Sequence, residues 1–356
     1  MIFIDRGRYG GGQSFRQTDR QTDRQTDRQT DRQTDGQTGH DYGVSLIRLI
    51  SIIFIITCHM MQYCSLVLAW WFNVGVQIFF CISGYLYGQK KSIFPLNFYK
   101  RRFKKILHPY WITVVIFGVV EVTFFRNDFS IKHFIGALLC RTTISGGEHL
   151  WFIPVILMCY VITPLLNAVR YREVSNGSKD VIITVLITTL FFGLFASFFN
   201  PAWMSCYVLG FWIGVNKQKH FFSENAFLVI FGFLAIPLNL IQAYLSYLLK
   251  PEFINGRIYA YWCDYNHVWL GIFIFLALMM ITRNVRWSVK SRKVLDLADR
   301  YSYETYLVHQ FFILGPMSLM AVTSWLPLSI IIIYGCILVS AFALKKLEDL
   351  KLLKCI

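Results

Sequence analysis

The sequence predicts an all-α, polytopic membrane helix bundle of about ten transmembrane helices, with both termini on the cytoplasmic side. Three observations carry this. The chain is 55% hydrophobic and only 15% charged, with a mean hydropathy of +0.48, whereas soluble proteins carry about 25% charged residues. Apolar runs of roughly 20 residues, enough to cross a bilayer as helix, recur along the chain. Finally, Lys and Arg gather in segments that share one side of the membrane when the spans are counted, and basic short loops stay cytoplasmic.

In chain order the apolar runs place helices at 44–64, 66–88, 106–125, 149–169, 181–199, 202–216, 226–248, 266–282, 304–322 and 326–345. The shortest, 202–216, follows Asn200-Pro201. Between the second and third spans, residues 89–105 hold seven basic residues and no acid. Residues 283–300 hold six basic and two acidic, and the tail LKKLEDLKLLKCI is again basic-rich, whereas 126–148 and 249–265 are close to neutral. A ten-span count puts all three basic segments inside. The net charge of +15 is then explained by topology and attraction to anionic lipid, with no nucleic-acid partner.

Residues 1–40 form a separate, polar segment ahead of the membrane domain at 41–356. In 16–36 four copies of Gln-Thr-Asp-Arg precede Gln-Thr-Asp-Gly. Such a repeat has no apolar face as helix or strand, and its alternating charges nearly cancel, so it is expected to be disordered. The codons CAG-ACA-GAC-AGA would spell the tetrapeptide as a tandem CAGA tract. Slippage in such a tract would switch expression on and off, a behaviour suited to genes that alter a bacterial surface. No cleavable signal peptide is expected, because the first apolar run is too long and lacks a small-residue cleavage site. The nine cysteines show no metal spacing, and no metal site is expected. Cys140 and Cys263 fall in segments placed outside, leaving a disulfide between them open.

Ionisable groups inside spans are costly and face a bundle interior or watery cavity. In LIRLISIIFIITCHMMQ, Arg48 precedes His59 by eleven residues. That spacing returns a helix to within roughly 20° of the same face after a rise of about 16 Å. One stripe thus carries a fixed cation suited to a phosphate or carboxylate and an imidazole suited to taking and returning a proton. The alternative for His59 is an interfacial imidazole bonded to a neighbour.

Arg48-x10-His59, NVGVQIFFCISGYLYG (73–88), FYKRRFKKILHPYWI (98–112), HLWFIPVILMCYVITPLL (149–166) and SYETYLVHQFFI (302–313), in this order, resemble the membrane acyltransferase-3 family. Its members are bacterial inner-membrane O-acyltransferases of surface polysaccharides, lipopolysaccharide and related glycans. The resemblance runs from about residue 41 to the C-terminus and implies a multi-pass protein of the bacterial inner membrane.

It further implies that Arg48 and His59 are essential to transfer. Arg101, Arg102 and Lys105 would contact an acyl-CoA donor, most simply acetyl-CoA, with succinyl-CoA as the alternative. Lys105 stands where relatives carry arginine and keeps the charge but loses the bidentate fork. Gly75, Phe79, Ser83 and Gly84 match the second-span pattern, where small residues also serve close helix packing. Glu148, His149 and Trp151 open the fourth span on the expected outer side. They would grip a glycan acceptor by hydrogen bonds and stacking, although Trp151 equally suits an interfacial belt. Tyr306 and His309 match the family's Tyr/His ending, and His309 could equally be a capped helix-end residue. Where many relatives carry Glu in the fourth span this chain reads Pro154-Val155-Ile156-Leu157, as in single-domain members, which puts more weight on His59. No permanently bound cofactor is expected; acyl-CoA is a substrate. The rival class is a glycan transporter or flippase, for which internal repeats between two halves would be the signal; none is visible.

Overall fold

The computed structural model describes residues 40–66, 68–90, 93–171, 201–219, 224–248 and 257–350. The span expected at 181–199 and the repeat-bearing N-terminal segment lie outside the described residues. The membrane unit begins at Tyr42. All regular structure among the described residues is helical, and seven helices are long and apolar enough to cross a membrane.

α1 (Tyr42–Tyr63) is followed by a short α2 (Ala69–Phe72) and α3 (Gly75–Gly88). α4 (Pro95–Phe124) has 30 residues, about 45 Å of helix, and α5 (Ile131–Leu138) folds back beside its end. A 3-10 turn at Glu148–Trp151 feeds α6 (Phe152–Tyr171). Then come α7 (Pro201–Lys219), α8 (Glu224–Leu248), α9 (Arg257–Thr282), α10 (Val289–Val308), a 3-10 turn at His309–Phe312 and α11 (Leu326–Asp349).

The second span, expected at 66–88, is split into α2 and α3, and α9 begins at Arg257 rather than at 266; two further boundaries differ for identifiable reasons. The basic cluster at 100–105 is helix, not loop: Pro95 occupies the first turn after an extended Phe94, where its fixed φ and missing N–H suit a helix start. The ninth span is not a continuous helix over 304–322. α10 is capped by Ser288, whose hydroxyl accepts the Ser291 N–H (3.1 Å). It tightens to a 3-10 turn and stops before Gly315, whose φ of +85° is left-handed. Cys140 and Cys263 are both free thiols, so the disulfide left open is not formed.

Contacts between helices fix their relative directions. Arg48 meets Asp299 and His59 meets His309, so α1 and α10 run parallel. Tyr303 donates to the Ile106 carbonyl (2.8 Å) and Phe117 stacks on Phe311 (3.7 Å between centroids), so α4 runs parallel to both. α3 and α7 are also parallel. A Cβ at Gly84 would strike the Tyr207 carbonyl, and one at Gly214 the Tyr85 carbonyl. These backbones touch only because glycine lacks a side chain. α8 and α9 run antiparallel, pinned by Asn239 Nδ2 donating to the Asn266 carbonyl (3.0 Å) and Asn266 Nδ2 donating to Gln242 Oε1 (2.8 Å). Phe233 on α8 and Val339 on α11 are about three-quarters exposed, at 77% and 69%, as expected of faces turned to lipid tails.

Candidate active site

The parallel helices α1, α4 and α10, with the segments packed on them, carry the candidate residues in two layers. The first contains Arg48. Its Nη1 donates to Asp299 Oδ1 (2.6 Å), and Ser45 Oγ donates to Asp299 Oδ2 (2.5 Å). Asp299 therefore orients the guanidinium with both oxygens engaged. Arg102 lies with its guanidinium carbon 5.0 Å from the Tyr87 ring centre. Lys105 is within electrostatic reach of Arg48, Arg102, Lys345 and Glu304. Arg101 is exposed on the same stretch of α4. Lys345 on α11 completes this layer, donating to Glu304 Oε1 (2.6 Å) and Glu348 Oε2 (3.0 Å). Arg48, Arg102 and Lys105, separated by up to 57 positions in the chain, thus gather at one end of the bundle.

The second layer lies eleven residues further along α1, about 16 Å. There His59 meets His309 with ring centres 5.2 Å apart and His149 at 6.5 Å. His149 and His309 are 4.7 Å apart. Tyr306 closes the group, 5.3 Å from His149 and 5.5 Å from His309. Phe79 of α3 lies beside it at 6.4 Å.

Hydrogen bonds assign a tautomer to each ring, since a carbonyl can only accept. His149 Nε2–H donates to the Leu307 carbonyl (3.1 Å), leaving Nδ1 with a lone pair and no partner. His309 Nδ1–H donates to the Tyr306 carbonyl (2.6 Å), leaving Nε2 buried and unpartnered. His59 Nδ1 pairs with Gln62 Oε1 (2.7 Å), which leaves its Nε2 as the basic atom. Three imidazoles therefore present three lone pairs in one place. Their accessibility differs: His149 is 3% exposed and His309 0%, whereas His59 is half-buried. His59 is the most accessible of the three rings. Among the described residues, no group of His, Cys, Asp or Glu is arranged to hold a metal.

The layer is braced from the fourth span. Tyr306 Oη donates to the His149 carbonyl (2.6 Å), and the His149 backbone N–H donates to Gln310 Oε1 (3.1 Å). Gln310 Nε2 in turn donates to Glu148 Oε2 (2.7 Å), and Glu148 Oε1 accepts the Gly146 N–H (3.1 Å). Gly146 is left-handed at φ +68° and packs against Gly315. A side chain on either glycine would push apart the two segments that carry Glu148 and Gln310.

The sequence-derived candidates thus fall into three places. Arg48, Arg102 and Lys105 share the basic layer, with Arg101 beside it on α4. His59, His149, Tyr306 and His309 form one cluster, with Glu148 one amide away. Trp151 is engaged elsewhere, stacked on Trp203 at 3.8 Å. Gly84 serves helix packing, and so does Gly75, where a Cβ would meet the Ser51 carbonyl. Asp299, Gln62 and Gln310 escaped the sequence reading. Gln310, adjoining His309, carried the one available signal: an amide among aromatic and aliphatic neighbours, costly in a membrane unless partnered.

A family model described as an acyltransferase domain matches residues 41–345. An uncharacterized protein of Haemophilus influenzae (strain ATCC 51907 / DSM 11121 / KW20 / Rd) is 29% identical over 153 residues, covering 36% of this chain and 61% of that protein. The chain thus aligns with about three-fifths of the length of this relative. No solved structure matches. The match over nearly all of the helical unit, with Arg48 and His59 facing the same helix, makes the chain a multi-pass membrane protein belonging to the acyltransferase-3 family.

Proposed function

We propose that the protein transfers an acyl group, most simply acetyl, from cytoplasmic acyl-CoA across the bacterial inner membrane to a hydroxyl of a surface polysaccharide or lipopolysaccharide. The observation that carries this reading is the placement of Arg48 and His59 on one face of α1, both turned to α10 and about 16 Å apart. The phosphates of the donor rest on Arg48, Arg101, Arg102 and Lys105. The pantetheine arm reaches along α1 to the histidine layer. This requires the basic layer to be cytoplasmic, which matches the basic loops and the parallel run of α1, α4 and α10.

His59 Nε2 takes the proton of the acceptor hydroxyl as its oxygen bonds to the thioester carbon. The carbon–sulfur bond breaks, and the thiolate of coenzyme A leaves with that proton. The His309 Nε2 lone pair, on a ring centred 5.2 Å from that of His59, would stabilise the transient imidazolium. In the second route His59 Nε2 itself takes the acyl group from the thioester and passes it to the hydroxyl. Rapid quenching distinguishes them: only the second leaves acyl-protein when acceptor is withheld.

The test of the reaction is mass spectrometry of surface glycans from cells with the gene intact or deleted. Loss of one acyl increment per acceptor residue on deletion supports it; identical glycans contradict it. The Gln-Thr-Asp-Arg repeat supports a further part of the proposal, that expression is phase-variable. A CAGA tract of varying length among sibling colonies would bear this out, and mixed codons would overturn it.

A further inference from the structure

A cleft of about 460 Å³ opens between the end of α4, α5 and the segment leading into Glu148. Its size falls within the range of small-molecule sites, about 300–1,000 Å³. It is lined by Glu121, Asp128 and Glu148, with Ser130, His133 and Thr142 among the rest, and, among the described residues, by no lysine or arginine. The walls are fixed. Tyr110 Oη and Trp111 Nε1 on α4 donate to the carbonyls of Ala137 and Leu138 on α5, and Thr142 Oγ1 donates to the His133 carbonyl (2.8 Å).

Glu121 is the telling residue. It is only 2% exposed, lines this cleft, and its Oε1 has no hydrogen-bond partner. A buried acceptor without a donor is costly, and a ligand hydroxyl or ammonium entering the cleft would satisfy it. The cleft also connects to the histidine layer. Glu148 lines it with one face and accepts from Gln310, which holds the His149 backbone. Phe117, one turn before Glu121, stacks on Phe311. It is remote from the basic layer, because twenty residues of α4 separate Arg101 from Glu121, about 30 Å.

We propose that this cleft is the acceptor subsite, taking a sugar that carries no acidic substituent. The inference rests on the acyl-transfer reading and adds the acceptor's class. Carboxyl groups exchange paired hydrogen bonds with sugar diols or an amino group, and a lining of acids with no basic side chain disfavours a uronate, a sialic acid or a phosphorylated sugar. Anions are thus held at the donor end of α4 and excluded at the acceptor end.

The test uses the full chain in lipid nanodiscs and saturation-transfer NMR with methyl glucoside, methyl glucosaminide and methyl glucuronide. The first two should give signal and the glucuronide little. Glu121→Leu, and independently the milder Asp128→Asn, should reduce the signal about tenfold, the loss expected for one hydrogen bond to a charged group. Equal signal from the glucuronide, no signal from any glycoside, or unchanged signal in both variants overturns the proposal. So does calcium chloride displacing the sugars in direct competition, which would make the cleft a cation site. Glycan acylation in cells is read in parallel. Glycosides that bind without any acylation in cells refute the reaction, whereas intact acylation in both variants refutes the cleft.

Discussion

Replacing Gln310 by Glu probes the contact that ties Glu148 to the histidine layer. Gln310 Nε2 donates to Glu148 Oε2 across 2.7 Å; Gln310→Glu sets two carboxylates at that separation. With an effective dielectric near 20 their repulsion is about 6 kcal/mol. Sharing one proton caps the cost at that of protonating a glutamate at pH 7, about 4 kcal/mol. Glu148 is exposed to the cleft, and water screening brings the expected loss nearer 2 kcal/mol. Because proton uptake relieves the repulsion, stability lost at pH 7.5 should return as the pH falls towards 5. The double variant Glu148→Gln, Gln310→Glu restores an amide facing a carboxylate with the roles exchanged, and still offers an oxygen to the His149 N–H and to the Gly146 N–H. The assay is thermal unfolding of the detergent-purified protein at both pH values, with acyl transfer alongside. Unfolding of Gln310→Glu like the wild type at pH 7.5, or a double variant no more stable than the single one, would show that this contact does not carry the repulsion.

Three further outcomes follow from named contacts. Arg102→Ala should raise KM for acyl-CoA about tenfold while leaving kcat nearly unchanged, since a lost phosphate contact at the donor end weakens binding alone; steady-state kinetics at varied acyl-CoA checks it. Lys345→Met leaves Glu304, 2% exposed, without its cation and should destabilise by about 3 kcal/mol, the lower end for a broken buried pair because Lys345 is partly exposed; thermal unfolding reads it. Gly84→Leu should prevent α3 and α7 from closing on one another and abolish recovery of folded protein, whereas Gly335→Leu, at a position with nothing within 4 Å, should be tolerated.

Helical periodicity alone put Arg48 and His59 on one face, because an eleven-residue spacing is a local property of α1. The direction of that face was also legible, since a membrane admits ionisable groups only towards a protein interior. What lay opposite was not. Asp299 is 251 positions from Arg48, and in the sequence it was only a minor correction to a basic segment's charge. Gln310 is 161 positions from His149, and its value comes entirely from a pairing that no local pattern encodes. The ninth span was misread because hydropathy rises after residue 303, whereas the helix is set by a serine cap at 288 and a left-handed glycine at 315. Trp151 was legible as amphipathic and its stacking partner Trp203 was not. Glu121 was invisible because a single Glu near the end of an apolar helix looks like an interfacial residue until its burial is known.

In the proposed reaction one imidazole, reached from the basic end of the bundle, performs the transfer. The most direct measurement is acyl transfer by wild type and His59→Ala in proteoliposomes supplied with acyl-CoA only on the side of Arg101 and Arg102, with glycan acceptor on the other. The expected outcome is a loss of about 10²–10⁴-fold, the usual contribution of a positioned acid–base group, with acyl-CoA binding and thermal unfolding unchanged. Transfer at the wild-type rate by a folded His59→Ala protein would contradict it.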